Sequence, residues 1–354
     1  MRKFLKIIAG LVVIVGCLLL AATFLDTTER APTFDAPGHL TTEITVPGRA
    51  SAVVLHIWYP TDSDAPPSLI GQNGLFYGSH IRANAHPLAG PLPVLLISHG
   101  SGGNAERLGW LAGFLAHQGI IVVAPNHPGT TSGDSDPFKT PLIWERTDDL
   151  RAALDLLQTN PPGGLQPDMA RVGVLGFSLG GYSALGFSGL RVTKAAFIAH
   201  CAANPDAADC SWMVQAGVDF TTIDAARYDA DLGDARVIAT VAIDPALVGA
   251  IDAAALPTVD HPVLLINLGA GAEIPAAMEV GTLAQTLPNA TYLAVPGAQH
   301  FSFLAECSTL GKIIIAVAGE DNICSDAGLR DRVIIQDELR TSIAAFLNTH
   351  LVKQ

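Results

Sequence analysis

A serine flanked by glycines lies where an apolar segment gives way to a run of small residues. Residues 176–181 have the sequence GFSLGG, follow the apolar segment 171–175 and precede the small-residue stretch 182–186. This G-x-S-x-G pattern is typical of a sharp strand-to-helix turn, in which the serine is strained and the flanking glycines avoid clashes. The pattern indicates acyl transfer with Ser178 as the nucleophile.

A histidine that could act as the base follows much later in the chain. The apolar run 290–295 is followed by a turn at 296–299 and then by His300. Where this serine motif occurs, the order along the chain is serine, carboxylate, histidine, and the histidine lies on a loop after the last strand. We therefore predict that Ser178 and His300 work as nucleophile and general base.

Two carboxylates are candidates for the third member of a triad. Asp244 ends the strand-like run 236–243, and Glu273 is the first carboxylate after the next such run, 262–267. A carboxylate at the end of a strand can bind the far nitrogen of the histidine, fix its tautomer and stabilise the imidazolium ion. We favour Asp244 and keep Glu273 as the alternative acid.

A glycine-rich loop upstream has the features of an oxyanion hole. The apolar run 93–98 continues directly into His99 and then into the sequence GSGG at 100–103. Glycine lets the backbone approach a negatively charged intermediate, which needs two fixed N–H donors. The predicted donors are the backbone amides of Ser101 and of Leu179, the residue after the nucleophile. His99 is expected to brace the loop.

Four of these segments together resemble a known group of enzymes. The sequences are SHGS at 98–101, GFSLGG at 176–181, AIDPA at 242–246 and GAQHFSF at 297–303. They are similar to segments of platelet-activating-factor acetylhydrolases and of the related bacterial predicted dienelactone hydrolases. The resemblance extends over residues 91–304.

The resemblance implies an α/β-hydrolase fold with a mostly parallel central sheet flanked by helices. In the acetylhydrolases the acid follows the strand after the nucleophile, which favours Asp244, and an oxyanion donor corresponds to Ser101. Dienelactone hydrolases proper use a cysteine nucleophile, so their substrate is not implied for a chain with Ser178. Esterases, lipases, thioesterases and peptidases share the serine motif, which is therefore specific for mechanism rather than substrate.

Length and composition favour one catalytic domain. Once residues 1–30 are set aside, residues 31–354 suit a single α/β domain, whose continuous apolar runs predict parallel strands covered on both faces. Segments 42–46 and 52–59 predict an antiparallel start to the sheet. The stretch 191–235, rich in alanine and aspartate, is expected to be a helical cap insertion over the site.

The segment 1–30 predicts a membrane anchor or a signal. Three basic residues precede the uncharged run 7–25, which is long enough to span a bilayer. Positive charge before such a run predicts an exported domain, either anchored in the inner membrane and facing the periplasm or secreted after cleavage. Residues 14–17 resemble a lipobox, so lipidation of Cys17 is a lesser alternative.

The other four cysteines favour disulfides, because an exported domain is in an oxidising compartment. Four cysteines allow three sets of pairs. The short loops favour Cys201 with Cys210 and Cys307 with Cys324.

Composition argues against several classes of partner. The formal net charge of −13 argues against nucleic acid, which needs a basic surface. No metal-ligand spacing or phosphate-binding glycine motif occurs, so we predict no metal and no cofactor. The expected partners are a small-molecule or lipid-like ester and, through residues 1–30, a membrane; oligomeric state stays open. The predicted function is therefore that of a serine hydrolase that cleaves carboxylic esters. The alternatives are an amidase or peptidase with the same triad, and an exported, non-catalytic binding module.

Overall fold

The computed structural model describes most of the chain beyond its amino-terminal segment. The described residues are 33–353 except 253, 255, 257–258, 319–322 and 327–329, together with residues 10, 13–14 and 16–17. The predicted anchor or signal at 1–30 thus lies almost wholly outside the described residues. Among the residues that are described, none of the helices has the length and apolar character needed to cross a membrane.

Within the described residues, ten strands form one sheet in the order β12-β11-β10-β9-β5-β6-β2-β1-β4-β3, and β7 and β8 form a separate hairpin. The strands are β1 Gly38–Ile44, β2 Val53–Tyr59, β3 Ser68–Ile70, β4 Ser79–Ala83, β5 Leu92–Ser98, β6 Ile121–Asn126, β7 Thr130–Thr131, β8 Asp134–Ser135, β9 Pro167–Phe177, β10 Val237–Ile243, β11 Val263–Leu268 and β12 Ala290–Val295.

Helices cover both faces of this sheet. They are α1 Gly109–His117, α2 Ile143–Thr159, α3 Leu179–Phe187, α4 Lys194–Ala203, α5 Ala208–Gln215, α6 Ala225–Tyr228, α7 Gly281–Thr286, α8 Thr309–Ala318 and α9 Arg332–Leu347. Successive side chains of a strand point to opposite faces. Leu95 and Ile97 of β5 therefore pack with α1 and α9, while Val94 and Leu96 pack with α2.

Six strands of the sheet are parallel, whereas the amino-terminal part is mixed: most of its pairs are antiparallel, but β1 pairs in parallel with β4. β6, β5, β9, β10, β11 and β12 pair in parallel, in that spatial order. β1 pairs antiparallel to β2, and β2 antiparallel to β6. The predicted fold, a mostly parallel sheet flanked by helices, is therefore confirmed. Because parallel strands share one direction, the segments that follow β5, β9, β10 and β11 emerge at the same edge.

Three helices, α4, α5 and α6, lie between α3 and β10, where the sequence predicts a cap at 191–235. Their apolar side chains, including Phe197, Met213 and Tyr228, form one hydrophobic cluster with side chains of α2 and α3. A disulfide joins Cys201 of α4 to Cys210 of α5. A second disulfide joins Cys307, just before α8, to Cys324. Both pairs are those that the short loops favour.

Candidate active site

Ser178 occupies the turn between β9 and α3. Its backbone has φ 56° and ψ −122°, which is a strained conformation for a residue other than glycine. The neighbouring segment holds it there: the Ser178 N–H donates to the Ile243 carbonyl at 3.0 Å, and the Ser178 carbonyl accepts from the Ala246 N–H at 3.0 Å. The turn thus presents the hydroxyl at the edge where β9 and β10 end.

Two glycines of the serine motif are required by close backbone contacts. A Cβ atom on Gly176 would lie 1.8 Å from the Gly180 carbonyl oxygen, and a Cβ atom on Gly180 would lie 2.0 Å from the Ser98 carbonyl oxygen. Neither contact can be relieved by rotating a side chain, because the opposing atoms belong to the backbone. The glycines let the serine turn pack directly against the end of β5.

His300 lies between the serine and the favoured acid. It begins the short 3₁₀ helix His300–Phe303 after β12. Its Nε2 atom is 3.2 Å from Ser178 Oγ, and its Nδ1 atom is 3.0 Å from Asp244 Oδ2. The imidazole is 17% exposed, whereas Asp244 is fully buried. The ring also packs against Phe177, with centroids 4.6 Å apart.

Asp244 follows β10 directly and is held on all sides by hydrogen bonds. Its backbone N–H donates to the Ile266 carbonyl at 2.8 Å, and its φ is 40°. Its Oδ1 atom accepts the Leu268 N–H and the Asn267 Nδ2–H, both at 2.9 Å, which leaves Oδ2 for His300. Burial and these bonds give the carboxylate one orientation, toward the imidazole.

Asn267 is a buried residue at this site that the sequence reasoning missed. Its amide donates to Asp244 and to the Met278 carbonyl at 2.8 Å. Its Oδ1 atom accepts the Val280 N–H at 3.0 Å and the Tyr292 hydroxyl at 3.2 Å. Two donors and two acceptors are thus all used. The available signal was a polar residue, Asn267, inside the otherwise apolar strand β11.

Glu273, the alternative acid, lies elsewhere on the loop after β11. Its Oε2 atom accepts the Ala270 N–H at 2.8 Å and the Gly297 N–H at 3.1 Å. The carboxylate thereby fastens the β11 loop to the turn that precedes His300. The structure brings Asp244, and not Glu273, to the imidazole.

The two predicted oxyanion donors both border the cavity in front of Ser178. Leu179 is the first residue of α3, and Ser101 lies on the loop after β5. Among the described residues, neither backbone N–H donates a hydrogen bond to a protein acceptor. The first N–H groups of a helix have no partner within the helix and carry its positive end. These amides are therefore available to a ligand.

His99 braces this loop from inside. Its Nδ1–H donates to the Gly100 carbonyl at 2.7 Å, and its Nε2 accepts the His127 N–H at 3.3 Å. Burial, reinforced by the nearby charge of Arg146, lowers the pKa of His99 well below its ordinary value. His99 is thus a neutral, internally bonded histidine, in keeping with the bracing role expected from its position.

Arg146 of α2 lies fully buried beneath the same loop. Its Nη2 donates to the His99 carbonyl and to Ser98 Oγ, the latter at 3.0 Å, and its Nε donates to Ser183 Oγ at 3.0 Å. Burial lowers the pKa of Arg146 to about 9, against the opposing effect of Asp149. One guanidinium thus ties α2 and α3 to the loop that carries the predicted oxyanion donor.

A cavity of about 550 Å³ opens in front of the serine. The cap contributes Phe197, Trp212, Met213 and Tyr228 to its wall, so the stretch 191–235 does border the site. The cavity is a size that suits small-molecule ligands. Within the described part of the chain, no group of three or more His, Cys, Asp or Glu side chains converges as a metal site requires.

Known proteins share this architecture. The family model described as "Alpha/beta hydrolase family" matches residues 94–308. The solved structure of a ferulic acid esterase from Streptomyces cinnamoneus is similar, with a TM-score of 0.62 and 20% identity over 92% of this chain and 93% of that one. No curated protein matches the chain. Because the matched segment is more than half of the chain and contains Ser178, Asp244 and His300, the chain belongs to the alpha/beta hydrolase family.

Proposed function

We propose that the protein is a serine hydrolase that cleaves carboxylic esters through an acyl-enzyme on Ser178. The observation that carries the proposal is the continuous hydrogen-bonded chain from Ser178 Oγ through His300 to Asp244, with contacts of 3.2 and 3.0 Å. A nucleophile within hydrogen-bond reach of a base, which a third group orients, is the arrangement that covalent catalysis requires.

The first half of the reaction transfers the acyl group to the enzyme. Ser178 Oγ attacks the carbonyl carbon of the ester while His300 Nε2 takes the hydroxyl proton. Asp244, hydrogen-bonded to His300 Nδ1, stabilises the imidazolium ion that forms. The tetrahedral intermediate then collapses, and His300 gives the proton to the departing alcohol.

The second half releases the acid. Water attacks the acyl-enzyme and His300 takes its proton. As the bond from the acyl carbon to Ser178 Oγ then breaks, His300 returns the proton to Ser178 Oγ, which restores the free enzyme. In both halves the carbonyl oxygen becomes negatively charged. The unbonded amides of Ser101 and Leu179 supply the two donors that this oxygen needs.

Two similarities to known enzymes favour esters over amides as substrates. The similar solved structure is named a ferulic acid esterase. The motif sequences around Ser101, Ser178, Asp244 and His300 also resemble those of platelet-activating-factor acetylhydrolases. The apolar walls of the cavity fit a small-molecule or lipid-like ester.

The test begins with active-site labelling. The purified protein and its Ser178→Ala variant are incubated with a fluorophosphonate, and intact masses are measured. The expected result is one adduct on the wild type and none on the variant, together with turnover of 4-nitrophenyl esters by the wild type alone. Absence of an adduct on folded wild-type protein contradicts the mechanism. Turnover of matched anilides at rates equal to the esters contradicts the preference for esters.

We also propose that the domain is exported, either anchored by residues 1–30 or released after their cleavage. The support is the apolar run 7–25 behind basic residues and the presence of two disulfides, which persist in oxidising compartments. The test is protease digestion of intact spheroplasts that express the chain with a carboxyl-terminal tag. Digestion of the tag without lysis, or recovery of the tag in the periplasmic fraction, is expected; protection until lysis contradicts export.

A further inference from the structure

The active-site cavity holds one charged side chain among the described residues that line it. That residue is Arg107, and no Asp, Glu or Lys borders the cavity in the described part of the chain. The contrast with the whole chain is large, because the formal net charge is −13. A cation retained in the binding cavity of an acidic protein calls for an explanation in terms of what it binds.

Arg107 comes shortly after the predicted oxyanion loop in the sequence. It lies in the 3₁₀ helix Ala105–Leu108, which follows that loop along the chain. Its guanidinium stacks over the ring of Phe76 at 4.2 Å from the centroid. This cation–π contact holds the guanidinium group at the wall of the cavity, which both residues line.

The hydrogen-bonding capacity of this guanidinium is hardly used. Its Nε atom is buried without a partner. Its Nη1 atom makes one long contact, 3.4 Å, with Asn73 Oδ1. The adjacent Glu106 does not neutralise it by contact, since that carboxylate binds Asn126 at 3.3 Å and lies 3.4 Å from His56. Within the described residues, Arg107 forms no ion pair.

Such a half-buried cation is costly to fold and well suited to bind an anion. Burial lowers the pKa of Arg107 despite the opposing effect of the nearby charge of Glu106, which reflects the cost of holding the guanidinium away from water. The guanidinium nevertheless stays protonated at neutral pH. A carboxylate matches the two parallel N–H donors of an arginine and forms bonds about twice as strong as those between neutral groups.

Building on the proposed ester hydrolysis, we propose that the substrate carries a free carboxylate that pairs with Arg107, in addition to the ester that Ser178 attacks. The substrate class is thus a half-ester or an acid-bearing ester, with its remaining apolar part against the cap residues Phe197, Trp212 and Met213. A carboxylate is favoured over a phosphate because one arginine, with no second cation on the described cavity wall, balances a single negative charge.

The test compares matched ester pairs that differ in one charge. One pair is the mono-4-nitrophenyl ester of adipic acid and its terminal carboxamide, which places the charge in the acyl half. The other pair is the butanoate ester of 4-hydroxybenzoic acid and that of its amide, which places the charge in the alcohol half. The measured quantity is the ratio of kcat/KM for the carboxylate over the carboxamide, in wild type and in Arg107→Met and Arg107→Lys.

We expect a preference for the carboxylate in at least one pair, which falls by roughly ten- to hundredfold in Arg107→Met and is partly kept in Arg107→Lys. The matched control is Arg171→Met, which removes the same charge within β9, outside the cavity lining. No carboxylate preference in either pair overturns the proposal. A carboxylate preference that persists in Arg107→Met overturns it as well.

A binding measurement separates this proposal from the proposed function. Titration calorimetry with the Ser178→Ala variant follows the binding of the intact carboxylate ester without turnover. Weaker binding in the Ser178→Ala, Arg107→Met double variant supports the carboxylate site even if the wild type hydrolyses none of these esters. Equal affinity in both variants overturns the site even if the wild type is an active esterase.

Discussion

Asn267 donates a hydrogen bond from its side-chain amide to Oδ1 of Asp244 across 2.9 Å, and both side chains are fully buried. Asn267 is the last residue but one of β11, and Asp244 directly follows the adjacent strand β10. The amide at the end of one strand therefore positions the carboxylate at the end of its neighbour. His300 meets a carboxylate whose position is set by two strands.

Replacement of Asn267 by leucine, which is similar in volume, is expected to lower kcat more than it raises KM. The carboxylate of Asp244 loses one of its fixed donors, and the partner groups on Met278 and Val280 lose theirs. Leaving buried groups unsatisfied should also cost about 1–3 kcal/mol of stability. Kinetics and urea unfolding measure the two effects.

A surface amide supplies the matched control for this change. Asn289→Leu removes an exposed side-chain bond to the Asp260 carbonyl and should leave kcat near the wild-type value. If Asn267→Leu keeps the wild-type kcat and the wild-type rate of fluorophosphonate labelling, Asn267 does not position the acid.

Asp244 and Glu273 can be separated by amide substitutions. Asp244→Asn keeps the shape but favours the wrong imidazole tautomer, and kcat should fall by a factor of about 10⁴. Glu273→Gln weakens only the bonds to Ala270 and Gly297. We therefore expect kcat to fall by less than about tenfold, as for the weakening of ordinary hydrogen bonds outside the triad. The larger loss in Glu273→Gln would reverse the assignment of the acid.

Arg146 is expected to act as a positioning residue for the oxyanion loop. In Arg146→Met the His99 carbonyl and the Ser98 hydroxyl lose their shared donor, so the loop that carries Ser101 is no longer tied down. The rate of fluorophosphonate labelling should fall by about 10²-fold, the effect of misplacing one oxyanion donor. Arg146→Lys should restore part of that rate.

The control for Arg146 lies five residues further along α2. Arg151→Met removes an arginine that binds the Leu232 and Gly233 carbonyls away from the loop. Its labelling rate should match the wild type. Equal slowing in both variants indicates a general loss of stability instead of a local effect on the oxyanion donor.

Removal of either disulfide is expected to lower stability without removing the catalytic groups. The bonds close sequence separations of 9 and 17 residues. In the chain-entropy description, loops of this size contribute about 3 kcal/mol each. The double variants Cys201→Ala with Cys210→Ala, and Cys307→Ala with Cys324→Ala, are compared by thermal unfolding with and without reductant. A wild-type Tm that reductant does not change contradicts the presence of both bonds.

The free energy of unfolding should also decrease as the pH is lowered, because of a buried histidine in the amino-terminal part of the sheet. Burial, aided by the charge of His56, lowers the pKa of His39 to about 3. As the pH falls below about 6.5 the unfolded chain takes up a proton that folded His39 does not, and stability falls by about 1.4 kcal/mol per pH unit. The contribution is complete above pH 6.5.

Asp149 acts in the opposite direction and must be separated from this effect. Burial raises its pKa to about 6, so between about pH 4 and 6 the folded state keeps a proton that the unfolded chain loses. Comparing His39→Gln with the wild type across pH 4.5–8 cancels that contribution. The variant should gain stability relative to the wild type as the pH falls, while exposed His117→Gln should not; parallel curves for His39→Gln and wild type contradict the assignment.

The strands that carry the site could be predicted because they are continuous apolar runs that end in reactive residues. The serine motif predicts the turn between β9 and α3, and the antiparallel pairing of β1 with β2 was expected from two runs separated by a short turn. Strands β3 and β4 were missed. They are short and only partly buried, so they have neither the apolar content nor the alternation that indicates a strand.

The supporting contacts of the site could not be obtained from the sequence. Asn267 and Asp244 are 23 residues apart, and Arg146 contacts Ser98 across 48 residues. No local pattern links such pairs, because the contact exists only after neighbouring strands and helices have packed. Arg107 was missed for the same reason: the lack of a counter-ion is a property of the folded cavity.

The distances along the chain between the three site residues have a consequence for how the protein folds. Ser178 and His300 are 122 residues apart, and Asp244 and His300 are 56 residues apart. Contacts of such large separation form slowly, since the entropy of closing the intervening chain is lost before the contact stabilises the fold. We therefore expect a refolding chain to form helices and its first strand pairs before it can hydrolyse esters. The return of turnover reports assembly of the sheet as far as β12, a later event than the return of secondary structure.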